Sequence, residues 1–229
     1  MTKRILLVVT NVDHYDADPA HPTGLWLSEL THAYDIFAEH GFEQTIVSPA
    51  GGTSPLEPRS LKFPNFDTSA KAWHGDPARM QLLEATASPD QMDSAGFDAI
   101  YFTGGHAVMF DFPGSVGLQR ITREIFERGG IVGAVCHGYC GLLDTKLSDG
   151  TYLVAGRQLT GFSWREEVLA RVDKLVPYNV EERIKERGAH YSKAFLPFVS
   201  NAVVDGRLVT GQNPGSAKET ASKVAALLV

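Results

Sequence analysis

Two cysteines in 229 residues are too few for a disulfide-stapled scaffold. Cys136 and Cys140 lie four apart, where helical side-chain directions would strain a bridge between them. A reducing, cytoplasmic setting is therefore expected, with Cys140 as a small packing residue. Positive charge is also in short supply. The 21 Lys and Arg against 27 Asp and Glu give a formal net charge of −6 and a pI near 5.7, so nothing favours nucleic acid or an anionic membrane surface. No apolar run approaches the ~20 residues that cross a bilayer. The basic pair Lys3-Arg4 and the short run Ile5–Val9 lead into Asn11-Val12-Asp13-His14, without the long apolar region and small-residue cleavage site of a signal peptide. His-x-x-x-His and CxxC patterns are missing, and His14, Asp16 and His21 share a loop without identifiable partners, so no metal or cofactor is expected. Repeats, low-complexity tracts and linkers are absent too.

What is present suits an ordinary globular chain: 43% hydrophobic and 21% charged residues, enough for one large α/β domain over 1–229. Lys3–Thr10 reads as a first strand. Asn11–Thr23 reads as a loop, followed by a helix capped by Thr23, striped by Leu25, Leu30, Ala33 and Phe37, and stopped at Gly41. Phe42–Val47 and Phe97–Phe102 read as strands. The region 51–96 between them has no clean period and reads as a loop-and-short-helix insertion, either a cap on a site at the sheet edge or surface decoration. Ser115–Arg128 is a predicted helix with Leu118, Ile121, Ile125 and Phe126 inward. Tyr152–Ala155 and Gln158–Thr160 are predicted strands of a hairpin about Gly156-Arg157. Trp164–Arg171 and Val180–Arg187 are predicted helices. Asp205-Gly206 marks a second hairpin, and Asn213-Pro214 opens a last helix. Alternation of strand and helix implies a mainly parallel sheet sandwiched by helices.

The stretch Gly129-Gly130-Ile131-Val132-Gly133-Ala134-Val135-Cys136-His137-Gly138 organises the rest. Small and β-branched residues between glycines suit a strand buried on both faces. It stops at a cysteine where a helix opens, the form of a nucleophile elbow with sulfur in place of a serine hydroxyl. A sulfur there lies at the carboxyl edge of a parallel sheet, near free helix N–H groups that favour a thiolate.

Ala134-Val135-Cys136-His137-Gly138 resembles the nucleophile corner of the DJ-1/PfpI superfamily, and of its Hsp31-like glyoxalase III branch in particular. Further pieces match in order: Thr23–Glu29, Thr103-Gly104-Gly105-His106, Phe110-Asp111-Phe112-Pro113, Thr160-Gly161-Phe162 with Glu166-Glu167, and Asp205–Pro214. The resemblance implies a flavodoxin-like, DJ-1/PfpI-type α/β fold and a homodimer. It implies a glutathione-independent glyoxalase III acting on a small 2-oxoaldehyde without a cofactor. Alternatives within its reach are a holdase chaperone and a cysteine-dependent hydrolase or deglycase of small electrophiles. It also implies the site: Cys136 as nucleophile, His137 and a later carboxylate as its triad partners, and Glu29 as the proton carrier beside the sulfur. Ungapped alignment on Thr160-Gly161-Phe162 puts the triad acid at Glu167, with Glu166 as the neighbouring alternative.

The residues alone support the same chemistry at lower resolution. A cysteine nucleophile needs a base, an acid to orient that base, and donors for an oxyanion. The Gly105 and His137 backbone N–H groups fit the last role, while His106 and Trp26 are candidate pocket walls. The chain departs from the branch after the elbow, with Gly138-Tyr139-Cys140 where Gly-Pro-Ala is usual.

Overall fold

Five strands run parallel, and the inner four of them are buried along nearly all of their length, as strands covered on both faces are. The computed structural model describes residues 2–229. In chain order the elements are β1 (Arg4–Val8), β2 (His14–Tyr15), β3 (Asp18–Pro22), α1 (Leu27–Glu39), β4 (Glu43–Val47), α2 (Thr68–His74), α3 (Pro77–Gln81), β5 (Ala99–Phe102), α4 (Val108–Asp111), α5 (Val116–Glu127), β6 (Ile131–Val135), β7 (Gln158–Leu159), α6 (Trp164–Leu169), α7 (Val180–Glu186), β8 (His190–Tyr191), β9 (Ala202–Asp205), β10 (Leu208–Gly211) and α8 (Ala217–Leu228). Short 3-10 turns punctuate them, notably Pro58–Leu61 and Cys136–Leu142.

The six-stranded sheet has the order β4-β1-β5-β6-β10-β9, with only β9 antiparallel. Alternation along β1 sends Leu7 to one face and Leu6 and Val8 to the other. The first face is covered by α1 and α8, through Leu30, Phe37, Ala221 and Val224. The second is covered by α5 and the 3-10 run after β6, through Ile121, Ile125, Tyr139 and Leu142. This is the helix-covered, mainly parallel sheet that the strand–helix alternation implies.

Local expectations fail in four places. Helix α1 starts at Leu27, not after Thr23, with Trp26 in the capping position; the Thr23 hydroxyl instead donates to buried Glu57 at 3.0 Å. The loop Asn11–Thr23 holds the small β2–β3 hairpin. No hairpin forms about Gly156-Arg157: β7 pairs in parallel with β8, and Tyr152 makes only an isolated bridge to Lys146. The cysteine corner opens a 3-10 run rather than an α-helix, and both cysteines are free and buried.

Candidate active site

The site lies where β5 and β6 end. Cys136 follows the last residue of β6 and adopts φ +57°, a left-handed conformation unusual for a residue with a Cβ. Such a conformation persists only when its surroundings enforce it. Here the next turn packs so closely that a Cβ on Gly138 would stand 2.4 Å from the Phe102 carbonyl oxygen. The corner puts the Cys136 sulfur and the His137 ring in the wall of one cavity of about 680 Å³.

Three carboxyl groups were candidates, and the structure separates them. Glu167 accepts from His137 Nε2 at 2.9 Å, while His137 Nδ1 lies 3.4 Å from Cys136 Sγ. Glu166 turns the other way. Its side chain closes a capping box with Ser163 and accepts from Gln212, Asn213 and the Phe198 N–H. Glu29, in the first turn of α1, is fully buried and accepts from the Gly104 N–H at 2.7 Å, with Cys136 in hydrogen-bonding reach. Gly105 (φ +106°), Trp26 and His106 also line the cavity. A side chain on Gly105 is excluded, because its Cβ would lie 2.2 Å from the Gly24 carbonyl oxygen.

Burial without a cation pushes the Glu29 carboxyl up to about 8, against weaker opposition from Cys136 and Gly104. Burial would raise Glu167 as well, but His106 and His137 outweigh it and hold that carboxyl well below the usual range. The Cys136 thiol is pushed up, first by burial and then by the charge of Glu29. A standing thiolate, expected from helix N–H groups, is therefore not what this corner favours. Ionising the sulfur therefore calls for a nearby proton acceptor, and His137 Nδ1, 3.4 Å away, is placed to be one, whereas Glu29 holds its own proton.

The DJ-1/PfpI family model matches residues 23–227. The chain belongs to the DJ-1/PfpI family. Within it, the chain is 32% identical to the glutathione-independent glyoxalase HSP31 of Saccharomyces cerevisiae, over 96% of this chain and 95% of that protein. The crystal structure of glyoxalase III from Candida albicans superposes with a TM-score of 0.89 at 27% identity, covering 98% of this chain and 97% of the other. That of Rapid Encystment Protein 24 kDa from Francisella tularensis gives a TM-score of 0.94 at 32% identity, over the whole of both chains.

On this DJ-1/PfpI frame the sequence reading missed one site residue, Arg59, and underrated another, His106. His106 is buried, and its Nε2 stands 2.9 Å from Glu167 Oε1. Arg59 donates to His106 Nδ1 at 2.9 Å and to the Tyr15 hydroxyl at 2.8 Å. It also pairs with Glu57, a buried acid whose carboxyl the guanidinium holds below its usual range against the effect of burial. Pro58 at the first position of the Pro58–Leu61 turn, and Glu57 capping the Arg59 N–H at 3.1 Å, were the local signals available.

His106, His137 and Glu167 place ligand atoms within 4.8 Å of one another, a spacing that suits a divalent cation. The same nitrogens and oxygens already face each other at 2.9 Å, so a cation would have to displace the triad contact. Among the described residues no helix is long and apolar enough to cross a membrane.

Proposed function

We propose that this protein is a glutathione-independent glyoxalase III that converts methylglyoxal or glyoxal to lactate or glycolate, with water as the only co-reactant. The observation that carries the proposal is the placing of Cys136 between two proton-handling groups of opposite character: Glu29, which burial keeps protonated, and His137, backed by an ionised Glu167. The names of the curated relatives agree with it.

In the proposed reaction His137 Nδ1 takes the thiol proton, and the sulfur adds to the aldehyde carbon. The developing oxyanion takes a proton from Glu29, giving a hemithioacetal; the Gly105 and His137 N–H groups lie at the same corner as donors. The Glu29 carboxylate then removes the C1 proton while the His137 imidazolium protonates the C2 oxygen, giving an enediol; Glu29 returns the proton to C2 and takes back the C1 hydroxyl proton, which leaves Glu29 protonated and His137 neutral. The result is a 2-hydroxy thioester. Water activated by His137 cleaves it, releasing the hydroxy acid and regenerating the thiol, so the net change is addition of one water. Glu167 orients His137 and stabilises its imidazolium without itself being protonated. Turnover in heavy water tests the enediol: lactate carrying deuterium at C2 supports it, and lactate with only protium at C2 removes an enediol whose carrier proton exchanges with solvent.

The proposal extends to the whole chain. Residues 1–229 act as one domain, and the 51–96 insertion acts as a cap, since Arg59, Lys62, Pro64 and Asn65 supply one wall of the cavity. The setting is cytoplasmic, the substrate is a small 2-oxoaldehyde, and the protein works as a homodimer. A second reading, a holdase, is favoured by one observation. Phe63 and Phe195 are 95% and 90% exposed, and their neighbours Pro64 and Phe198 line the cavity. Suppression of client aggregation that survives Cys136→Ala would support that reading; suppression absent from the wild type would remove it.

A further inference from the structure

Glu167 has a histidine nitrogen 2.9 Å from each of its oxygens, and only His137, the one hydrogen-bonded to it, lies beside the sulfur. His137 hydrogen-bonds Oε2 at 2.9 Å and has Cys136 beside its other nitrogen; His106 Nε2 stands 2.9 Å from Oε1 out of hydrogen-bond alignment and makes no hydrogen bond to the sulfur. One carboxylate charge can stabilise a proton on either ring. If His106 took it, the His137 imidazolium would lose much of its counter-charge and the thiol its base.

Arg59 decides between them. A guanidinium has donors only and stays charged at every working pH. The His106 Nδ1 that receives its Nη2 at 2.9 Å must therefore be an acceptor. The single proton of neutral His106 then resides on Nε2, close to Glu167 Oε1 but not aligned on it. A second proton would set an imidazolium N–H against a fixed cation. The remaining charged and titratable neighbours of the ring are Glu167 from α6, His137 from the corner after β6, Glu57 just before the Pro58–Leu61 turn and, at 6.1 Å between ring centroids, Tyr15 from β2. Arg59 cannot swing away easily. Glu57 holds it at Nε and Nη2, at 2.8 and 2.9 Å, and the two Nη2 protons are shared among Glu57, the Tyr15 hydroxyl and His106 Nδ1.

We propose that Arg59 is a positioning residue that bars protonation of His106 and so reserves the Glu167 carboxylate for His137. This rests on the reading of Cys136 and His137 as a reacting pair. Burial also keeps His106 below its ordinary range, against the pull of Glu167, and the charge of Arg59 acts in the same direction. The insertion thus controls the base from the far side of the triad, through a residue that never needs to touch substrate.

The test is imidazole nitrogen NMR on the wild type and on Arg59→Gln, together with the pH profiles of kcat and of Cys136 alkylation. In the wild type His106 is expected to carry its proton on Nε2 alone, from neutral to mildly acidic pH. In Arg59→Gln it is expected to take a second proton on mild acidification. The acid limb of both profiles then moves to higher pH, kcat falls on the order of 10- to 100-fold, and KM changes far less. Arg59→Lys, which keeps one charged donor, restores most of kcat. Because Arg59→Gln orphans buried Glu57, the same measurements on Glu57→Gln/Arg59→Gln guard against misfolding. A wild-type His106 protonated on Nδ1 overturns the proposal, as does a KM effect with kcat and His106 unchanged. If methylglyoxal is not turned over at all, the glyoxalase reading fails. The NMR and alkylation profiles still decide the role of Arg59.

Discussion

Glu29 and Glu167 are two buried glutamates at one sulfur, and their surroundings drive them in opposite directions. The folded protein keeps a proton on Glu29 up to about pH 8, whereas the unfolded chain releases it near 4.5. Between those values the folded state binds more protons, so the contribution of Glu29 to stability falls as pH rises through that window. Glu29→Gln keeps the shape and the Gly104 contact but never ionises. It is expected to unfold at a higher temperature than wild type at about pH 9, by on the order of a few kcal/mol of stability, and to match it in mild acid. Calorimetry at both pH values checks this, and the same variant should lose turnover. The lowered Glu167 carboxyl has the opposite sign. Its stabilisation is present above the ordinary carboxylate range and is lost as pH falls toward its depressed folded value. Glu167→Gln should reduce kcat by a factor of about 100 or more with the fold intact. Glu166→Gln should instead cost on the order of 3 kcal/mol in urea unfolding, because Gln212, Asn213 and Phe198 lose a shared charged acceptor. The distinction between the two was half legible. Ser163-x-x-Glu166 is a capping-box pattern, which gives Glu166 a backbone task and leaves its neighbour free to turn inward. The raised carboxyl of Glu29 was not legible from periodicity, since the helical stripe alone reads that position as a polar face.

The corner after β6 is the element that converts a buried strand into a reactive site. Its apolar run, with glycine on both sides, could be read directly because a strand covered on both faces has no other composition available. The left-handed Cys136 could not: local sequence permits it, but the contact between Gly138 and the end of β5 enforces it. Gly138→Ala drives a methyl group into the Phe102 carbonyl, and is expected to destabilise the fold by several kcal/mol, on the order of 3 or more, with Cys136 alkylation altered in whatever folded protein survives. Urea denaturation and thiol labelling measure the two effects separately. The misread segments share a cause. Gln158-Leu159 finds its partner at His190-Tyr191, far along the chain, and short-range turn signals at Gly156 cannot reveal a parallel pairing that needs a crossover. Thr23 looked like a helix cap because its hydroxyl is the right type, yet that hydroxyl is consumed by the buried Glu57.

At the scale of the whole molecule, the sheet order places the ends of β5 and β6 side by side, and Arg59, Lys62, Pro64 and Asn65 line the cavity beside them. The alternation of strands and helices announced that sheet, and the motif set announced Cys136, His137, Glu29 and Glu167 as neighbours. Arg59 was hidden because a lone arginine in a turn-rich segment reads as a solvated charge; only the tertiary fold brings it to His106, 47 residues away in sequence. Everything in the functional account depends on covalent attack by the corner sulfur. The direct measurement is lactate formation from methylglyoxal by the purified protein, without glutathione, beside the Cys136→Ala variant. The account predicts lactate from the wild type and none above the uncatalysed rate from the variant, with both proteins folded. Lactate produced equally by the variant, or by neither protein, would contradict it.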